Sequence, residues 1–269
     1  MRLCLIDEPD LEFAHGSRHT DPRRGISYYG PADLGSSGPR TIRVGMVGTK
    51  EAIDGVKRWL DRCRSPIAAK KSHLTGLFVP FPGFETNTGF RSTIVWNSRL
   101  ERTISASAMR KLDGLNPLTA IQAAVDLYAA ELIALNEEPG CDVVIVCRPD
   151  DLPEQVMVNG NPDKPWQDPK LESVGADFRA LLKARSLKTS SPIQIIRRDT
   201  WDPKYKPKDR DERRGQQDDA TKAWNLHTAL YYKAGGMPWR MPRASEDLTS
   251  CFIGVAFYRS ASGDTLQTS

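Results

Sequence analysis

Apolar residues recur along this chain in two alternating patterns. Thr41 to Val47 and Cys141 to Cys147 (CDVVIVC) are short, nearly continuous apolar runs, as expected of strands covered on both faces. Ile193 to Ile196 is a β-branched run with one polar member, Gln194. Leu3 to Ile6, Thr93 to Trp96 and Cys251 to Tyr258 read as further strands. Between these runs the apolar spacing becomes helical. Ile53, Val56, Trp59 and Leu60 share one face, and Leu118 to Leu135 is the longest amphipathic stretch. A shorter helix is predicted from Asp177, whose carboxylate can cap it, to about Leu187. Another carries Trp224, Leu226, Leu230 and Tyr231 and stops at Gly235-Gly236 with Pro238 beyond, which places Lys233 in its last turn. Strand, helix and strand in this order predict a doubly wound α/β layer, with ligands beyond the carboxyl ends of its strands and Asp150 near the pocket.

The segments outside this pattern are rich in turn residues. Residues 1–40 read as an extended Gly/Pro-rich arm, 150–175 as a loop or insertion, and 204–214 as a mixed-charge linker. Of the 269 residues, 39% are hydrophobic and 27% charged, the balance of a globular protein. No apolar run approaches the roughly 18 residues of a membrane span. The opening MRLCLIDEP is short and acidic for a signal peptide, so a cytoplasmic location is expected by default. The five cysteines lack a CxxC pair and are expected to be reduced core thiols. The four histidines lack zinc-like spacing, and His227 is read as a packed side chain, so no metal site is predicted. Val44 to Gly48 has neither the G-x-G-x-x-G spacing nor a P-loop Lys.

Charge is unevenly spread. The net charge is +4, but residues 179–214 hold twelve Lys or Arg against five Asp or Glu, a local +7 that leaves −3 for the rest. Within and beyond this region Lys183, Gln194 and Lys233 sit among apolar neighbours, and Arg179 lies one helical turn before Lys183. Cations converging from two helices, with an amide from a strand, suit a phosphate. The plainer reading makes Lys233 a complement to its helix terminus and Lys183 a solvated surface lysine.

These residues resemble the MID domain of Argonaute proteins. There a Tyr or His, a Lys four residues on, a Gln in the next strand and a Lys before a Gly-Gly turn hold the 5′-phosphate of a guide strand. Lys183, Gln194 and Lys233 occupy the last three positions, and Arg179 stands in place of the ring-bearing residue. An Arg can bind phosphate bidentately but does not supply that ring for stacking. The opening of the chain is similar to that of short prokaryotic Argonautes through Glu8-Pro9, Leu11, Phe13, Gly16, Asp21-Pro22-Arg23, Gly25 and Gly30-Pro31. The run Ile253-Gly254-Val255-Ala256 resembles the first strand of the RNase-H-like PIWI domain, with Ala256 where slicing members carry the first metal-binding Asp.

The resemblance implies a Rossmann-like MID domain over 41–240, an arm over 1–40 packing on PIWI, and the beginning of PIWI over 241–269, the rest belonging to a longer chain or not included. It further implies a catalytically inactive protein that binds a 5′-phosphorylated guide, with guide RNA expected, and recognises complementary single-stranded DNA. The implied partner is an effector with an APAZ domain joined to a TIR, sirtuin-like or nuclease module, acting in prokaryotic defence. Mg2+ at the guide 5′-phosphate is a further expectation, with no membrane partner. Two other classes stay open, an α/β enzyme gripping a substrate phosphate and a generic nucleic-acid-binding module.

Overall fold

Side chains alternate across a strand, and in this chain both faces of the strands are apolar, so the sheet must be covered twice. In the computed structural model Ile42, Val44 and Met46 of β3 (Thr41–Gly48) face one core together with Val143, Ile145 and Cys147 of β6 (Val143–Cys147). Val47, Val144 and Val146 face a second core. The structure describes residues 8–35, 37–73, 76–150, 152, 155–158, 174–205, 217–242, 256–259 and 265–268.

The sheet is parallel. Its order is β4 (Thr93–Val95), β3, β6, β9 (Ile193–Ile196), and β5 (Glu101–Thr103) pairs with the other half of β3 on the β4 side. The first face is covered by α2 (Lys50–Arg62) through Ile53, Val56, Trp59 and Leu60, and by α7 (Asp219–Lys233) through Trp224, Leu226, Leu230 and Tyr231. The second is covered by α4 (Pro117–Asn136) and α5 (Phe178–Ser186), with Tyr128 edge-on to Phe178 at 5.4 Å. The result is the predicted α/β layering. Among the described residues α4 is the one helix long and apolar enough to cross a membrane by composition. Here it is a core helix, with Ile121, Val125, Tyr128 and Leu132 buried and the Tyr128 hydroxyl donating to the Cys147 carbonyl at 2.9 Å.

The arm is more structured than its composition suggests. Instead of an extended path, residues 11–29 form a short hairpin of β1 (Leu11–Glu12) and β2 (Arg18–His19), then α1 (Pro22–Tyr29). The Asp21 carboxylate accepts from the N–H groups of Arg23 and Arg24, and Pro22 stands at N1, where its missing N–H costs nothing. Phe13 and Ile26 enter the first core, and Gly25 is required there because a Cβ would lie 2.1 Å from the Phe13 ring. The arm thus packs on the 41–240 region. Within and just beyond the 150–175 stretch read as loop, an antiparallel pair forms from β7 (Gln155–Val158) and β8 (Val174–Asp177). The sequence reading also missed β5, α3 (Ala106–Arg110) and α6 (Arg198–Trp201), which are too short to show a period. Of the predicted 251–258 strand, Ala256 to Arg259 is described as β10, paired antiparallel with β11 (Thr265–Thr268). Leu3 to Ile6, Ile253 to Val255, Cys4 and Cys251 lie outside the described residues, as do residues 206–216 of the linker.

His227 is packed, as its helical position suggested. It is buried between Phe81 and Phe84, with ring centroids 5.0 and 4.8 Å away, and Nδ1 lies 2.7 Å from the Ala223 carbonyl. Burial lowers its pKa to about 4. The folded protein therefore binds fewer protons than the unfolded chain between about pH 4 and the ordinary histidine value, and stability falls as pH drops through that window. Urea unfolding from pH 7 to pH 4 is expected to show this loss, up to about 3 kcal/mol, and His227→Phe should reduce it. An unchanged pH profile in the variant would contradict the assignment.

Candidate functional site

β9 is the edge of the parallel sheet, so alternate peptide groups turn away from β6. Val144 N–H takes the Pro192 carbonyl and Arg148 N–H takes that of Ile196, which leaves the carbonyls of Ile193 and Ile195 on the open side. α7 passes along this side, and its C-terminus is fixed by the chain. Gly235 has φ +86°, Gly235 N–H donates to Tyr232 O and Gly236 N–H to Tyr231 O, both at 3.0 Å. This double bond pattern stops the helix right after Lys233. From there the Lys233 ammonium donates to the Ile193 carbonyl and to Gln194 Oε1, each at 2.6 Å. The Gln194 amide nitrogen in turn donates to Ile195 O at 3.2 Å.

The cations on α5 arrive by a different route. Phe178 and Leu182 are buried in the second core, which turns the next residues, Arg179 and Lys183, to the exposed flank. The Asp177 carboxylate caps the helix through Arg179 N–H at 2.7 Å. Neither Arg179 nor Lys183 has a side-chain hydrogen bond or ion pair among the described residues, yet both act on Lys233. Its pKa is lowered to about 8, first by burial and then by the positive charges of Lys183 and Arg179. Among the described residues no carboxylate pairs with Lys233. A half-buried ammonium that feels two further cations and has no paired carboxylate among the described residues gains from an anion placed beside it.

A cleft of about 620 Å3 opens beside this cluster, lined by Arg148, Arg179, Gln194, Arg197, Lys222 and Asn225 among others. It follows the β9 edge to its carboxyl end, where ligands of parallel sheets sit. Arg179 and Gln194 line it, whereas Lys183 and Lys233 stand outside its lining. Sequence reasoning missed Arg148, Arg197 and Lys222. The signal for the first two was their place just past the last residues of β6 and β9. For Lys222 it was its helical phase, eleven residues before Lys233 on the same face of α7. The Lys222 ammonium is engaged by the Asp199 carbonyl at 2.6 Å, and Arg148 by that of Leu152 at 2.7 Å. The cleft's acids are Asp177, already a helix cap, and Asp199.

No family model matches this sequence, and no curated protein does either. Among solved structures the chain is similar to the Argonaute of Clostridium butyricum, determined with a guide DNA carrying a 5′ deoxycytidine and a 19-mer target DNA. The identity is 14% and the TM-score 0.49, over 94% of this chain and 28% of that one. This chain therefore spans little more than a quarter of the Argonaute's length, and a likeness at this level says nothing of function.

Because Lys233 is held below its ordinary value of 10.5, the unfolded chain binds more protons than the folded one between about pH 8 and that value, and stability rises with pH there. In an NMR titration of the lysine Cε–H groups one lysine is expected to titrate near pH 8, and Lys183→Ala should move its midpoint upward. If every lysine titrates at the ordinary value, the cluster is not assembled.

Proposed function

We propose that the cationic cluster of Arg179, Lys183 and Lys233 binds the 5′-phosphorylated end of a single-stranded nucleic acid, whose strand continues into the adjoining cleft. The observation that supports this reading is the bond of Lys233 to Gln194 beside the positive charges of Arg179 and Lys183, with no carboxylate paired to Lys233 among the described residues. A terminal phosphate dianion neutralises such a cluster where a backbone phosphodiester brings only one charge. Lys233 would move its hydrogen bonds from the Ile193 carbonyl to a phosphate oxygen and hold its proton more tightly. Gln194 supplies an amide donor, and Arg179 a bidentate fork in place of a stacking ring. Each charge-assisted hydrogen bond contributes about 1.5–3 kcal/mol. The strand would then run along α7 toward Lys222, about 16 Å from Lys233 at 1.5 Å per residue, with Arg148 and Arg197 on the opposite wall.

The finer reading follows the motif resemblance. The ligand is a guide, RNA in our proposal, that recruits complementary single-stranded DNA. Ala256 provides no carboxylate at the first acidic position, so catalysis falls to a partner carrying an APAZ domain and a TIR, sirtuin-like or nuclease module. The described cleft does not fit a protein-held Mg2+, because its cations outnumber its two acids and one of these is spent as a cap. Charge neutralisation is assigned to the lysines and arginines.

Filter binding with 5′-phosphorylated and 5′-hydroxyl oligonucleotides of one sequence tests the proposal. The phosphorylated strand should bind more tightly, and Lys183→Glu or Lys233→Glu should weaken it by about tenfold or more, the loss of one charge-assisted bond. Lys206→Glu, in the linker, should leave it unchanged. Equal binding of the two strands would refute the phosphate site. A second arm varies salt. The affinity should fall with a log–log slope near −0.7 per neutralised phosphate.

A further inference from the structure

A second cavity, of about 760 Å3, lies outside the carboxyl ends of β3, β5 and β6. β3 leads through α2 to the β4 and β5 edge, whereas β6 lies on its other side and is reached through α4. The cavity thus sits where the direction of winding reverses, the place at which parallel sheets bind ligands. It is not part of the cationic cleft. Residues 197 and 199 line the cleft, and Arg198 between them bonds to Glu51, which lines the cavity.

The lining has a consistent chemistry. α3 and the turn after it form one wall through Met109, Leu112 and Leu115, faced by Pro117, Pro149 and Leu152. Leu115 is 40% exposed, so apolar surface is presented to water there. Seven of the lining residues are polar or charged, and four of them are already committed. Thr49 and Ser105 cap α2 and α3, Lys50 pairs with Asp54 at 2.9 Å, and Glu51 pairs with Arg198 at 3.4 Å. Arg110 and Asp113 make no side-chain hydrogen bond or ion pair among the described residues. Volumes of this size, with mostly apolar walls and a few polar groups, suit small molecules.

We propose that this crevice is a small-molecule site for an apolar compound bearing one carboxylate. The apolar body fills the space between Met109, Leu115, Pro117 and Leu152, and the carboxylate meets the fork of Arg110, a cation on the rim with no partner among the described residues. Asp113, three residues on in the same turn, opposes a second negative charge and selects against phosphate dianions. The ligand class is therefore distinct from that of the nucleic-acid cleft, and neither site depends on the other.

Isothermal titration of the full chain with 3-phenylpropionate and with octanoate, against adenosine monophosphate as the dianionic competitor, tests this. Saturable binding of one or both carboxylates is expected, with an affinity that saturating adenosine monophosphate leaves unchanged. Ala106→Trp, at an exposed lining position, should abolish it by filling the space. Arg110→Gln should weaken the carboxylates about tenfold while leaving 3-phenylpropanol unaffected, as removal of one charge-assisted bond would. Phosphorylated-oligonucleotide binding should be the same in both variants. No saturable binding of either carboxylate, or binding indifferent to Ala106→Trp, overturns the assignment.

Discussion

The arrangement depends on one half-buried ammonium group. Lys233 is placed where the last turn of α7 meets the open edge of the sheet, and its donors find a strand carbonyl and a single amide, Gln194. Nothing nearby among the described residues offsets its charge, and two further cations act on it from α5. Taking a cation partly out of water beside like charges is unfavourable, and the fold must supply the difference elsewhere. It does so through the packing of Trp224, Leu230 and Tyr231 on one side of the sheet and of Phe178 and Leu182 on the other. On α5 the buried Phe178 and Leu182 are next in sequence to the exposed Arg179 and Lys183, and on α7 the buried Tyr231 lies two residues before the half-buried Lys233. Their positions are set by the core and not by the attraction of the charges for one another.

The arm takes part in this anchoring. The buried Asp33 carboxylate accepts the Tyr231 hydroxyl and the Met237 N–H, both at 2.7 Å, and so joins the arm to the turn that ends α7. Glu12 and Arg240 pair on either side through backbone bonds and a charge-assisted contact at 2.8 Å. These bonds hold the Gly235-Gly236 turn, which in turn fixes where Lys233 points. The first link in the chain of cause is therefore a carboxylate about two hundred residues away in sequence, supplied by a segment that composition alone marks as irregular.

Much of the layering was legible because apolar strands and helices carry different periods. The runs at 41–47, 141–147 and 193–196 and the helices around Val56, Tyr128, Leu182 and Leu230 appear where the spacing put them. The direct bond between Lys233 and Gln194 was not read from the sequence, which set both side chains toward a phosphate because each is polar among apolar neighbours. Other features were hidden for physical reasons. α1 depends on the cap at Asp21 and on Phe13 closing over Gly25, a tertiary contact with no local period. β7 and β8 border Gly- and Pro-rich sequence and, among the described residues, pair only with each other, so neither carries the long apolar run that marks a strand of the main sheet. Arg148, Arg197 and Lys222 became candidates only once the strand ends and the helix face were brought to one cleft.

The most direct test of this account is a crystal structure of the chain with a 5′-phosphorylated dinucleotide. The account places the terminal phosphate within hydrogen-bond reach of Lys233 Nζ, Lys183 Nζ and the Gln194 amide, with Lys233 released from the Ile193 carbonyl. A phosphate bound elsewhere, with Lys233 still donating to Ile193, would contradict it.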